Sequence, residues 1–124
     1  MTLSVVPIYA AALTALFLAL SFWVVVRRGK ANISLGDGND SALFARIRAH
    51  GNFVEYAPLG LILILIADLQ GAGTGWLHLA GAALTLGRIS HALALLGVLG
   101  MGFRIAGMLA TFAALALAAV LAVI

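Results

Sequence analysis

Long, nearly uncharged apolar segments dominate this sequence and restrict the folds available to it. Four segments, at about residues 5–26, 41–69, 76–96 and 103–124, are each long enough to cross the roughly 30 Å hydrocarbon core of a bilayer as a helix. A helix satisfies its own backbone hydrogen bonds in hydrocarbon, whereas an open sheet does not. The sequence therefore predicts an all-α integral membrane protein, a bundle of four transmembrane helices that forms one domain over residues 1–124.

The composition excludes several classes of protein. The chain is 65% hydrophobic and 9% charged, compared with about 25% charged residues in soluble domains. Cysteine is absent, so no disulfide framework, thiolate metal site or thiol nucleophile of its own is available. We expect no metal and no nucleic-acid partner. The first apolar segment is expected to be retained in the membrane, since "RRGK" and not a small-residue cleavage site follows it.

The basic residues are concentrated toward one end of the predicted bundle, which we call side B. With four antiparallel helices, side B is where the first and third segments end and where the second and fourth begin. Every basic residue falls on side B or in the half nearest it: Arg27, Arg28, Lys30, Arg46, Arg48, Arg88 and Arg104. By the positive-inside rule, side B is cytoplasmic and both termini lie on the opposite side, side A. The short loops favour a bacterial inner membrane.

The stretch "RIRAHGNFVEY", Arg46 to Tyr56, places polar residues directly ahead of an apolar run. On a helix at about 100° per residue, Arg48, Asn52 and Glu55 fall within about 60° of one another, with Tyr56 about 40° beyond Asn52. These four residues therefore share a face, which we expect to point into the bundle. Arg46 and His50 point to other sectors. Asp40 or Ser41 is the expected N-cap of this helix.

The third and fourth segments bring further polar groups to a similar depth. Arg88 and His91 lie one turn apart, and Arg104 opens the fourth segment. A charged group near a helix centre costs about 2.5–3.5 kcal/mol, so it normally faces a partner or a wet cavity. Three arginines against Glu55 leave excess positive charge, which predicts a pocket for an anion. Alternatively, Glu55 neutralises Arg48 or Arg88, and the neutral polar residues only link helices.

Two motifs resemble those of the MAPEG family, the membrane-associated proteins in eicosanoid and glutathione metabolism. "RAHGNFVEYAP", residues 48–58, resembles the motif on the second helix of that family. "GRISHA", residues 87–92, looks like the third-helix Arg-x-x-His element of the microsomal glutathione transferase and prostaglandin E synthase branch. Arg104 falls at the spacing of the fourth-helix arginine of that branch. The resemblance covers nearly the whole chain.

The resemblance implies a homotrimer that binds glutathione as a co-substrate between neighbouring subunits, near the cytoplasmic side. A lipophilic small-molecule substrate would arrive through the membrane lipid. Glu55 would meet the amino group of glutathione, and Arg104, the catalytic residue, would lie near the sulfur and favour its thiolate. The loop-side residues Arg27, Arg28 and Lys30 are weaker candidates for a glutathione carboxylate. The residues implied to bind glutathione are Arg48, Asn52, Glu55, Tyr56, Arg88 and His91.

These residues predict a glutathione-dependent transferase or peroxidase that acts by thiolate attack. One departure favours an alternative, a catalytically weak scaffold that binds glutathione or lipid. Several family members carry a tyrosine one turn beyond the third-helix histidine, where this chain has Leu95. A more remote alternative is a small four-span transporter. Such a transporter is expected to use an acidic residue in its first span, and the first segment of this chain has none.

Overall fold

The computed structural model describes residues 3–124 and folds them into four helices with no strand in that range. The helices are α1 (Val6–Ala31), α2 (Ser41–Leu69), α3 (Thr74–Leu95) and α4 (Met101–Val123). Helices α1, α2 and α4 are long and apolar enough to cross a membrane. Helix α3, which carries the polar residues His78, Arg88 and His91, is not one of these three. The prediction of an all-α membrane bundle of four helices is confirmed.

The first helix extends further than the sequence predicted. We expected it to end near Val26, with the basic residues in the following loop, whereas α1 includes Arg27, Arg28 and Lys30. Its termination falls at Asn32, which adopts the left-handed conformation with φ of 58°. A helix of 26 residues is about 39 Å long. Since the hydrocarbon core is about 30 Å thick, this basic end reaches the headgroup region.

The loop between α1 and α2 is tied to the helices on both sides. Asp40 is the N-cap of α2 and accepts a hydrogen bond from the backbone N–H of Leu43 at 2.8 Å. The same carboxylate pairs with Arg27, 2.6 Å from Nη2 to Oδ2. The pKa of Asp40 is held below its ordinary value, mainly by the hydrogen bond from the Arg27 guanidinium and to a smaller extent by that from the N–H of Leu43. Arg28 donates to the carbonyls of Ile33 and Gly36.

Polar contacts on side A join α1 to α2 and α3. Asp68, near the end of α2, accepts from the backbone N–H groups of Val5 and Val6 at 3.0 and 2.9 Å. A carboxylate at the N-terminus of α1 is favourable because the first N–H groups of a helix have no partner within the helix. The Tyr9 hydroxyl lies 2.9 Å from Nδ1 of His78. Asp68 and His78 therefore connect helices at this end of the bundle.

Helices α3 and α4 approach most closely at two glycines. A Cβ atom on Gly107 would lie 2.6 Å from the carbonyl oxygen of Gly87 and 2.7 Å from the backbone nitrogen of His91. A methyl group cannot fit at such distances, so the helix backbones are in direct contact. Small residues commonly allow this approach in membrane bundles. The contact places Arg88 and His91, which flank it on α3, directly against α4.

Gly107→Ala is expected to destabilise the bundle by at least about 1–3 kcal/mol, because the added methyl meets backbone that cannot rotate away. Gly102→Ala is the matched control: it lies in the same helix, and nothing lies within 4 Å of its Cβ position. The control should be as stable as the unmodified chain or slightly more so, since alanine favours helix. Unfolding in detergent, followed by circular dichroism, measures both. Equal stability of the two variants would contradict the close contact.

Candidate ligand-binding site

Arg88 lies at the centre of the candidate site and is 2% exposed. Its Nε donates to the Thr111 hydroxyl at 3.0 Å, and its Nη2 lies 3.1 Å from the sulfur of Met108. Its Nη1 donates to both the side-chain oxygen and the carbonyl of Asn52. The guanidinium carbon lies 5.1 Å from the ring centroid of Tyr56. Because arginine stays charged in proteins, these groups of α2 and α4 solvate a permanent cation inside the bundle.

The face predicted on α2 divides into two parts. Asn52 and Tyr56 point inward and contact Arg88. Arg48 and Glu55 form an ion pair at 3.3 Å, with their side chains 43% and 52% exposed. The expectation that all four residues point into the bundle is therefore wrong for Arg48 and Glu55, because α3 and α4 cover only the Asn52 and Tyr56 side of α2. An exposed ion pair contributes little stability, so a ligand can exchange with either partner.

His91 lies three residues after Arg88 on α3. The residue is buried, 4% exposed, and its backbone packs against Gly107 of α4. Arg104 is exposed in the first turn of α4. The structure thus brings Asn52 and Tyr56 together with Arg88 and packs His91 against α4.

The net charge of this group of residues is positive. Three guanidinium groups, those of Arg48, Arg88 and Arg104, are present with one carboxylate, that of Glu55. Glu55 already pairs with Arg48. The other two arginines, Arg88 and Arg104, have no carboxylate contact among residues 3–124. Excess positive charge at the edge of an apolar bundle favours an anionic ligand. The geometry agrees with an anion site.

The site is an open face in the single chain. We expected a pocket, but Arg88 and its partners fill the interior, and the exposed charged residues lie outside it. A cavity of about 500 Å³ lies on side A, near Gln70 and Trp76. A groove of about 400 Å³ lies between α1 and α2 and is lined by apolar residues that include Phe53 and Val54. These two residues lie between Asn52 and Glu55 in sequence, and at about 100° per residue they face a different side of α2.

Thr111 and Met108 were not predicted from the sequence, although both contact Arg88. A signal for Thr111 was available, since it is the one hydroxyl-bearing residue of α4 and hydroxyls inside membrane bundles usually bond across helices. Met108 carries no such signal, because methionine is ordinary in an apolar helix. Arg46 and His50 point away from the site, as expected. Arg46 donates to the carbonyl of Trp23, and His50 lies 3.0 Å from the Ser21 hydroxyl.

The sequence of this chain was compared with those of known proteins and families. Residues 6–124 match the model of the MAPEG family. Over 84 residues, the chain is 39% identical to the proteins named Inner membrane protein YecN of Escherichia coli strains K12 and O6:H1 (CFT073). The matched region is 68% of this chain, and it spans 64% of the length of each of these relatives. No solved structure matches.

Thr111→Val is expected to lower the free energy of unfolding by about 1.5–3 kcal/mol, the usual contribution of a hydrogen bond to a charged group. The change removes the oxygen that accepts from Arg88 while keeping the shape of the side chain. Thr111→Ser retains the oxygen and should lose less. Thr14→Val is the matched control, since the Thr14 hydroxyl is exposed and bonds within its own helix. Denaturant unfolding in detergent compares them; equal losses for Thr111→Val and Thr14→Val would contradict this role.

Proposed function

This chain belongs to the MAPEG family of membrane helical bundles, and we propose that it binds glutathione and acts as a glutathione-dependent transferase or peroxidase on lipophilic electrophiles. The observation that carries the proposal is the exposed ion pair of Arg48 and Glu55 on the same helix whose Asn52 contacts the buried Arg88. The family match supports a role in the metabolism of glutathione or of lipid-derived substrates.

The charges of the exposed residues complement those of glutathione, which carries two carboxylates, an ammonium group and a thiol. In the proposed complex, the ammonium group meets Glu55 and a carboxylate meets Arg48. Where water fills the site, little energy is lost when this exposed ion pair opens. Arginine binds a carboxylate through two parallel N–H donors, so the exchange gives Arg48 a partner as strong as the one it leaves.

Buried Arg88 acts in this proposal through Asn52. The side-chain oxygen of Asn52 accepts from Arg88, which sets the orientation of the amide and leaves its NH₂ group to donate elsewhere. That group lies one turn before Glu55 on α2. It is therefore available to a carbonyl or carboxylate of the bound tripeptide. Tyr56, whose ring packs against the same guanidinium, and His91 would complete the site.

Arg104 is the proposed catalytic residue. A thiol with an ordinary pKa near 8.5 is only a few per cent thiolate at neutral pH. Lowering that pKa by about two units requires roughly 2.7 kcal/mol of preferential stabilisation of the thiolate. An arginine beside the sulfur can supply this in a partly dry site. The position of Arg104 in the first turn of α4 adds the positive end of the helix dipole.

The thiolate then attacks the electrophile. With a carbon electrophile, a carbon–sulfur bond forms and the leaving group departs with its electron pair. With a hydroperoxide, the sulfur takes the terminal oxygen as the O–O bond breaks, and an alcohol and a sulfenic acid result. A second glutathione then forms the disulfide and releases water. The lipophilic substrate would reach the site from the bilayer.

The proposal includes assembly and location. A neighbouring copy, in a homotrimer, would cover the open charged face and exclude water from it. The relatives are named as inner membrane proteins, and we place this chain in the same kind of membrane. The site then lies toward the cytoplasmic side with both termini opposite, following the concentration of basic residues on side B.

A second candidate function is a glutathione- or lipid-binding protein without appreciable turnover. The observation that favours it is Leu95, which stands one turn beyond His91 and packs against the apolar core. A tyrosine there would offer a hydroxyl to sulfur or substrate, and leucine offers none. Tight binding of glutathione with no conjugation of a model electrophile and no reduction of a lipid hydroperoxide would favour this second function over the first.

Glu55→Gln is expected to weaken glutathione binding by roughly tenfold or more, since it removes the charge that meets the ammonium group; a charge-assisted hydrogen bond contributes about 1.5–3 kcal/mol. Asp37→Asn, the same change in the α1–α2 loop, is the control and should bind normally. Isothermal titration of detergent-purified protein with glutathione measures both. Undetectable binding to the unmodified chain, or equal affinities for the two variants, would contradict the assigned site.

Arg104→Gln is expected to raise the apparent pKa of the bound thiol toward about 8.5, with a smaller effect on the affinity for glutathione. Arg104→Lys keeps a positive charge and should restore part of the thiolate. The measurement is the ultraviolet absorbance of the thiolate, titrated against pH with the tripeptide bound. An unchanged apparent pKa in Arg104→Gln would remove the catalytic role.

A further inference from the structure

A crevice lined by one charged residue, Arg46, lies at side B, away from the proposed glutathione site. It has a volume of about 160 Å³ and is formed by α1, the start of α2 and the loop after α3. Its lining residues are Trp23, Ala42, Ala45, Arg46, Leu96 and Val98. A second groove, of about 330 Å³, runs along the outer face of α1 past Phe22 and shares Trp23 with the crevice. The crevice, which contains Arg46, is the polar end of this pair, and the groove along α1 is its apolar continuation.

Arg46 is held in the crevice wall without a neutralising charge. Its Nη1 donates to the carbonyl of Trp23 at 2.8 Å, and its guanidinium carbon lies 6.0 Å from the Trp23 ring centroid. A carbonyl and an aromatic face orient a cation but carry no net charge. Neither ion pair found among residues 3–124 includes Arg46. Because an arginine has five N–H donors, most of its donor capacity remains for a ligand.

The crevice lies at the depth of lipid headgroups. Arg46 is five residues after Ser41, about 7.5 Å along the axis from the start of α2. Trp23 is eight residues before the end of α1 at Ala31, about 12 Å along the axis. Since α1 exceeds the hydrocarbon thickness, both side chains lie near the boundary between acyl chains and headgroups. Tryptophan is enriched at this boundary.

We propose that the crevice binds the headgroup phosphate of an anionic phospholipid, whose acyl chain lies along the α1 groove. An anionic lipid neutralises Arg46, whereas a zwitterionic lipid brings a cation of its own and gains less. The choice of a lipid follows from the adjoining apolar groove, which a free phosphate would leave empty. Basic pockets between transmembrane helices recognise headgroups in this way. The proposal is independent of glutathione binding.

Native mass spectrometry of the detergent-purified protein tests the proposal with two probes of identical acyl chains, phosphatidylglycerol and phosphatidylcholine. The unmodified chain should retain phosphatidylglycerol several-fold better. Arg46→Gln should abolish this preference, because it removes the charge. Lys30→Gln, which removes an exposed cation at the same end of the bundle, should preserve it. Equal retention of the two lipids by the unmodified chain, or an unchanged preference in Arg46→Gln, would overturn the proposal.

Two further measurements do not depend on removing Arg46. Ala45→Leu fills the crevice without changing its charge and should also abolish the preference. In Trp76→Phe, Trp23 is the one remaining tryptophan of the two in the chain. Brominated phosphatidylglycerol should quench its fluorescence at lower lipid fractions than brominated phosphatidylcholine. Identical quenching curves would overturn the proposal even if Arg46→Gln failed to fold.

Discussion

The need to solvate one buried guanidinium, that of Arg88, determines how three of the four helices pack. Arg88 cannot lose its charge, and a charge inside a membrane bundle is costly unless polar groups surround it. Asn52 and Tyr56 approach it from α2, and Thr111 and Met108 approach it from α4. The helices must be close enough for these contacts, and the glycine contact between α3 and α4 provides that closeness. One cation thereby sets the relative positions of three helices.

This arrangement separates the parts of the site that maintain the fold from those available to a ligand. Arg88 is buried and satisfied, so its loss would leave Asn52 and Thr111 without their charged partner. Arg48 and Glu55 are exposed and paired only with each other. A ligand can replace that pair without disturbing the interior. Under the proposed function, the buried residues position the amide of Asn52, and the exposed ones supply the charges that recognise the tripeptide.

The sequence was sufficient to predict the four helices and to bring polar residues of different helices to a similar depth. Apolar segments of membrane length predict helices because hydrocarbon permits few alternatives, and helical spacing placed Arg48, Asn52, Glu55 and Tyr56 on one face. It could not show that this face divides between Asn52 and Glu55, because the division depends on which neighbouring helix covers which side. The extension of α1 was missed because basic residues were assigned to the loop by polarity, although arginine favours helix.

The exposure of Glu55 has a consequence for the form in which this chain enters a bilayer. Glu55 lies 14 residues after the start of α2, about 21 Å along the helix, near the middle of its 29 residues. Its side chain is 52% exposed in the single chain. Lipid tails cannot solvate a carboxylate at that depth. The exposed face must therefore border a water-filled cavity or a polar surface.

A neighbouring copy that covers this face supplies both the surface and the walls of a cavity around Arg48 and Glu55. This requirement supports the proposed trimer, with the glutathione site between subunits.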